Sequence, residues 1–275
     1  MHTKKLFAFL ALAMLLVSGC GGGGSSSSGS ISSAEQSAAN NVSETAKLSS
    51  LIGRCVGGFV DGGANGVVQV VGTPGITPTT TVTVTGTTTT TTVDYGSGIT
   101  SGSETISGSF TVVFDTSTNT GTITFNNFTD TTAQGTTAIS GTIHFVITPT
   151  GTPGVSTVQT QSDLTVNNNG QSYHLVGTET ADVSSTTGLI DISTASITLT
   201  STQGTLTATG TDLTFDSTTH RVNGGTVHAT YQPAGIGLSF SVNVTFDSQT
   251  PTTGVVHASF DGSPSIGVHV PVADL

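Results

Sequence analysis

At 275 residues the chain carries Lys+Arg 5 against Asp+Glu 16, and charged side chains make up only 8% of it. Phosphate-backbone binding needs clustered cations; nucleic acid is therefore excluded as a partner, and so is electrostatic attraction to anionic lipid. Threonine fills the deficit at about a fifth of the chain, and a β-branched polar side chain suits the wet face of a sheet.

Residues 1–20 read MHTKKLFAFLALAMLLVSGC. Lys4 and Lys5 form a positive start, and Leu6 to Val17 form an apolar run too short for a comfortable membrane span. The run ends in Val17-Ser18-Gly19-Cys20: an aliphatic residue, two small residues, then cysteine. This segment resembles the signal region of bacterial lipoprotein precursors, with the cleavage motif called a lipobox. The resemblance covers the signal region alone. It implies that residues 1–19 are a signal peptide, that the Cys20 thiol receives a diacylglycerol, and that the new amino terminus is usually acylated too. Several acyl chains on one residue give stable anchoring where one would be marginal. Aspartate after the cysteine often marks inner-membrane retention in enteric bacteria. Gly21 stands there instead, so the expected address is the outer membrane, with the periplasmic or surface face left open.

Beyond Cys20 comes GGGGSSSSGSISS, so residues 20–33 read as the lipidated cysteine and a flexible tether. Its reach is about 20 Å. Residues 34–56 predict a helix. Ser33 and Gln36 fit a capping box, and Ala38, Val42, Thr45, Leu48, Ile52 and Cys55 follow at spacings of three and four. Gly57-Gly58 stops it. With Cys20 lipidated, Cys55 is the sole remaining cysteine. The mature chain then has no internal disulfide and no Cys-based zinc cluster. Loss of Lys4 and Lys5 leaves Lys47, Arg54 and Arg221 against 16 acids, a formal charge of −13.

Residues 57–275 predict a threonine-rich all-β domain of short alternating runs broken by glycine, Asn-Gly and proline turns. The clearest strand is Ile236 to Phe246, where Ile236, Leu238, Phe240, Val242, Val244 and Phe246 alternate with small or polar residues. Near Ser193 the apolar parity switches, from Ile190 and Ile192 to Ala195, Ile197 and Leu199, which predicts a β-bulge. The run Thr87–Thr92, flanked by Val82, Val84 and Val93, reads as a solvated edge strand in preference to an O-glycosylated stretch.

An internal repeat is present. Gly141-Thr142-Ile143-His144-Phe145 matches Gly225-Thr226-Val227-His228-Ala229 and Gly254-Val255-Val256-His257-Ala258, and Gly121-Thr122-Ile123-Thr124-Phe125 replaces the histidine with threonine. Three of these strands follow one ending in Phe-Asp: Phe114-Asp115, Phe215-Asp216 and Phe246-Asp247. The unit is strand, Phe-Asp, turn, glycine, strand. Successive hairpins imply an antiparallel meander of roughly a dozen strands, which must curl, close or split. The expected architecture is a barrel or two-sheet sandwich preceded by one N-terminal helix.

Candidate chemistry is sparse. His144, His228 and His257 are expected on the hydroxyl-rich face. His228 and His257 should lie one strand apart, about 10 Å between backbones, which is far for a shared zinc. Asp115, Asp216 and Asp247 open turns, where a carboxylate accepts backbone N–H groups as an Asx-turn. Calcium is the sharper use for such turns, and Asp61-Gly62-Gly63-Ala64-Asn65-Gly66 is a further loop of that flavour. No hydrolase, metalloprotease or P-loop motif occurs. With Trp 0, a sugar-stacking platform rests on Tyr95, Tyr173 and Tyr231 alone. A transmembrane barrel would need an apolar outward face and aromatic girdles. The expectation is a non-enzymatic envelope lipoprotein without cofactor, anchored through Cys20, with a structural or surface-interaction domain. The alternatives are a carrier of a small apolar ligand or lipid, and an enzyme of unknown type.

Overall fold

A computed structural model of the chain describes residues 77–102, 104–132, 135–168, 170–184, 190–215, 222–235, 237, 239–253, 255–260 and 266–269. The signal region, Cys20, the tether, the helix expected at 34–56, the 61–66 loop and Asp216 lie outside these residues. Fourteen strands follow one another: β1 (Thr79–Thr85), β2 (Thr88–Asp94), β3 (Ile99–Ser101), β4 (Glu104–Asp115), β5 (Thr120–Thr132), β6 (Gly135–Pro149), β7 (Val155–Asn168), β8 (Gln171–Ser184), β9 (Ile190–Ser201), β10 (Gly204–Phe215), β11 (Val222–Pro233), β12 (Phe240–Phe246), β13 (Val255–Phe260) and β14 (Ile266–His269). One helical turn, α1 (Thr250–Thr253), sits between β12 and β13.

All the described strands belong to one antiparallel sheet whose order follows the sequence from β1 to β14, with the short β3 pairing on the side of β4. Short turns dictate this order, because a strand ending in a tight turn has only its neighbour to pair with. The chain is thus all-β and a meander, as its alternation implies. It forms a single hydrogen-bonded sheet, and among the described residues no pairing joins β1 to β14.

One face of the sheet holds the core. On β11, Val227, Ala229 and Tyr231 are buried while His228 between them is exposed. The same period of two runs through Ile139, Ile143 and Phe145 on β6, Leu164 and Val166 on β7, and Val244 and Phe246 on β12. Burial of each such side chain contributes about 1.5–3 kcal/mol. Tyr95, Phe110, Phe125 and Phe128 meet in tilted and edge-on contacts with ring centroids 5.6 to 6.1 Å apart. Phe125 and Phe128 are three apart and yet share a face because a register shift falls between them, with Asn127 at φ 49°. The bulge expected near Ser193 is present. Thr180 pairs with Thr194 and Ala181 with Ile192, so Ser193 is the extra residue, and its hydroxyl donates to the Thr180 carbonyl at 3.1 Å.

Two readings are corrected. Thr87–Thr92 is not the edge: among the described strands β2 is the second, and the outermost is β1, exposed at all seven positions. Val82-Thr83-Val84, taken as a mere flank, forms that strand and pairs with Thr91, Thr90 and Thr89. The repeat glycines do not all open strands either. Gly141 and Gly225 lie inside β6 and β11 at φ 118° and 100°. A Cβ on Gly225 would come within 2.5 Å of the Asp212 carbonyl oxygen, and one on Gly141 would run into that of Asp163. Their purpose is close backbone approach to the neighbouring strand.

Candidate functional site

The outer face bears the predicted candidates. Its hydroxyls pair across strands, Thr92 with Thr111 at 3.2 Å, Thr131 with Thr136 at 3.1 Å and Thr211 with Thr226 at 2.8 Å. These cross-strand contacts each contribute a few tenths of a kcal/mol to about 1 kcal/mol. His144, His228 and His257 stand in this carpet and are exposed, as their parity predicts. His144 Nδ1 lies 3.0 Å from the Thr122 hydroxyl, and His228 Nδ1 lies 2.7 Å from Asn243 Oδ1. His257 Nε2 approaches Asp247 Oδ2 at 3.3 Å.

The structure does not gather them. β12 separates the strands of His228 and His257. His228 pairs with Asn243 but His257 with Thr245, two residues further along. Two strand spacings of about 4.8 Å plus a two-residue offset of about 7 Å put the backbones about 12 Å apart, beyond a shared zinc. Among the described residues, no group of three or more His, Cys, Asp or Glu assembles.

Asp115 and Asp247 behave as turn formers. Asp115 Oδ1 accepts the Ser117 hydroxyl at 2.7 Å and the Ser117 N–H at 2.8 Å, and these bonds hold its carboxyl below the usual range. Asp247 Oδ1 accepts from the N–H groups of Gln249 at 2.8 Å and Thr250 at 3.1 Å, leading into α1. Its pKa is likewise lowered, chiefly by the Gln249 N–H. Seven strands lie between β4 and β12 in the sheet order, so each carboxylate serves its own turn.

Tyr95, Tyr173 and Tyr231 are each 3% exposed or less, so none offers a surface for sugar stacking. Between the β9–β10 turn and the end of β11 lies a wide-open depression of about 400 Å³, lined by Ser201, Gly204, Thr205, Gln232 and Pro233 and without a titratable side chain.

The residue that sequence reasoning missed is Glu179 on β8. Tyr173, Leu175, Ala181 and Val183 are buried on the inner face, and Glu179 has the same parity. Its cross-strand partners are Thr160 on β7 and Ala195 on β9. Part of its side chain remains open to a water-sized contact. Even so, the surrounding protein desolvates the carboxyl and pushes its pKa up to about 8. No described residue is Lys or Arg, so none of them offers it a permanent cation. The signal was present in the sequence: Glu179 breaks the apolar series at Tyr173, Leu175, Gly177, Ala181 and Val183.

No family model matches the chain, and no curated protein or solved structure matches it either.

Proposed function

We propose that this protein is a lipid-anchored component of the bacterial cell envelope, held through Cys20 at the outer membrane, whose β domain is a non-enzymatic structural or surface-interaction module. The observation that carries this reading is the outer face of the sheet. It is paved from β2 to β11 with threonines that hydrogen-bond to one another and to neighbouring His, Asn and Asp side chains. Such a face presents donors and acceptors over a broad surface to a macromolecular partner, and its charge is negative. A transmembrane barrel turns its apolar residues outward, whereas here the large apolar side chains line the buried face.

For the domain's shape, the reading favoured is a sheet curled into an incomplete barrel. Side chains from β2 to β12 are 0–6% exposed along one face, and the hydrogen-bonded path runs unbroken from β1 to β14. A sandwich of two separate aligned sheets would interrupt that path.

Anchoring is tested by metabolic labelling with an alkyne fatty acid in cells making the wild-type or Cys20→Ser chain. The wild type is expected to take up label and sediment with the outer membrane. Cys20→Ser is expected to lose the label and leave the membrane fraction. Unchanged membrane residence of Cys20→Ser would sink the anchor.

A further inference from the structure

We infer that the inner face around Glu179 is a binding site for a small amphiphilic amine, whose ammonium pairs with the Glu179 carboxylate while its apolar tail lies against the core. This goes beyond the structural and interaction role and does not rest on it.

Three observations converge. The first is a polar notch in an apolar face. Thr160, Ser162 and Glu179 occupy adjoining inner positions of β7 and β8, with Thr160 opposite Glu179 and Ser162 opposite Gly177. None of the three side chains hydrogen-bonds to a described residue. Ser162 is buried and Thr160 and Glu179 are half-buried, so three neighbouring polar side chains on an apolar face stand ready as ligand contacts.

The second is room. Beside Glu179 stand small residues: Ala195 across on β9, Ala181 two places along, and Gly210 one strand further. Thr160 separates Glu179 from Phe145 on β6. The Phe145 ring does not fall into this space. It lies over Gly121, where a Cβ would collide with it, and stacks on Phe114 with centroids 6.0 Å apart and planes 7° from parallel. The ring thus leans toward β5 and β4, away from the strand of Glu179. On the far side Val227 and Val244, in register with Gly210, continue the apolar floor.

The third is charge. The titratable side chains of the flanking strands face away: Asp163 on β7, His174 and Asp182 on β8 and Asp191 on β9 are all exposed on the outer face. Among the described residues, Glu179 therefore has neither a competing cation nor a second carboxylate beside it. An anionic amphiphile such as a fatty acid would find no Lys or Arg among the described residues to pair with. A neutral apolar molecule would leave the carboxyl unanswered. An ammonium head satisfies it, donates further hydrogen bonds to the Thr160 and Ser162 oxygens, and displaces the carboxyl proton to solvent as it binds.

The test is calorimetric titration of the mature lipidated chain in detergent, with n-hexylammonium as probe and hexanol and hexanoate as matched controls. Wild type is expected to bind n-hexylammonium. Glu179→Gln, a near-isostere of the protonated acid, is expected to bind it about tenfold more weakly or worse. Thr160→Val should fall between them. Absence of binding by wild type, equal binding by Glu179→Gln, or hexanol or hexanoate binding as tightly as the amine would each overturn the site. Should Glu179→Gln fail to fold, the wild type decides alone. Its affinity must rise between about pH 6 and about pH 9, with proton release at the lower end, and a flat profile overturns the proposal.

Discussion

The hydroxyl of Thr91 lies on the inner face of β2, in a residue 1% exposed, with no hydrogen-bond partner. A buried unsatisfied hydroxyl costs about 1–3 kcal/mol, and valine has nearly the same shape. Thr91→Val is therefore expected to stabilise the domain by about 1 kcal/mol, read as a higher denaturant midpoint at unchanged slope. The sequence conceals this residue because Thr87 to Thr92 is unbroken threonine, in which alternation leaves no mark. Asp115 and Asp247 are the reverse case. Each ends a strand in Phe-Asp, and the turn geometry that this order implies is what the carboxylates make. Glu179 lies between these cases, since its parity was visible but the surrounding chemistry depends on strands far away in sequence.

Among the elements, alternation carried most of the information. Val244 and Phe246 on β12, and the parity switch at Ser193, correspond to a buried face and a real bulge. The role of Gly141 was not legible in the same way. A glycine before Thr-Ile-His looks locally like a strand opening, and the carbonyl that forbids a side chain there belongs to Asp163, on another strand. Gly141→Ala is expected to destabilise by about 2 kcal/mol, through positive φ and backbone collision together, measured by urea unfolding. The edge strand β1 was misplaced for a related reason. Its valines, exposed at 49% and 66%, look like core residues until the pairing shows that no described strand lies outside them. Threonine at its remaining positions keeps that edge polar.

For the molecule as a whole, three described carboxyls are shifted and set opposing pH dependences. Glu179 has an ordinary value of 4.5 and a folded value of about 8. Between the two the folded state holds the extra proton, so stability from this group is fully present below about 4.5 and is lost as pH rises through about 8. Asp115 and Asp247 act oppositely, with folded values below 3.8, so their contribution exists above that value and disappears in acid. Denaturation curves should show wild-type stability falling from pH 5 to pH 9, and Glu179→Gln should flatten that fall. An equal decline in the variant would mean that other groups dominate. The sheet order adds a consequence for biogenesis. Because spatial neighbours are also successive in the chain, a polypeptide that emerges amino-terminus first during its synthesis delivers each segment to a ready docking rim and leaves a fresh rim for the next. Among the described strands each needs only the next one along the chain, and the sticky front at any moment is one ribbon wide.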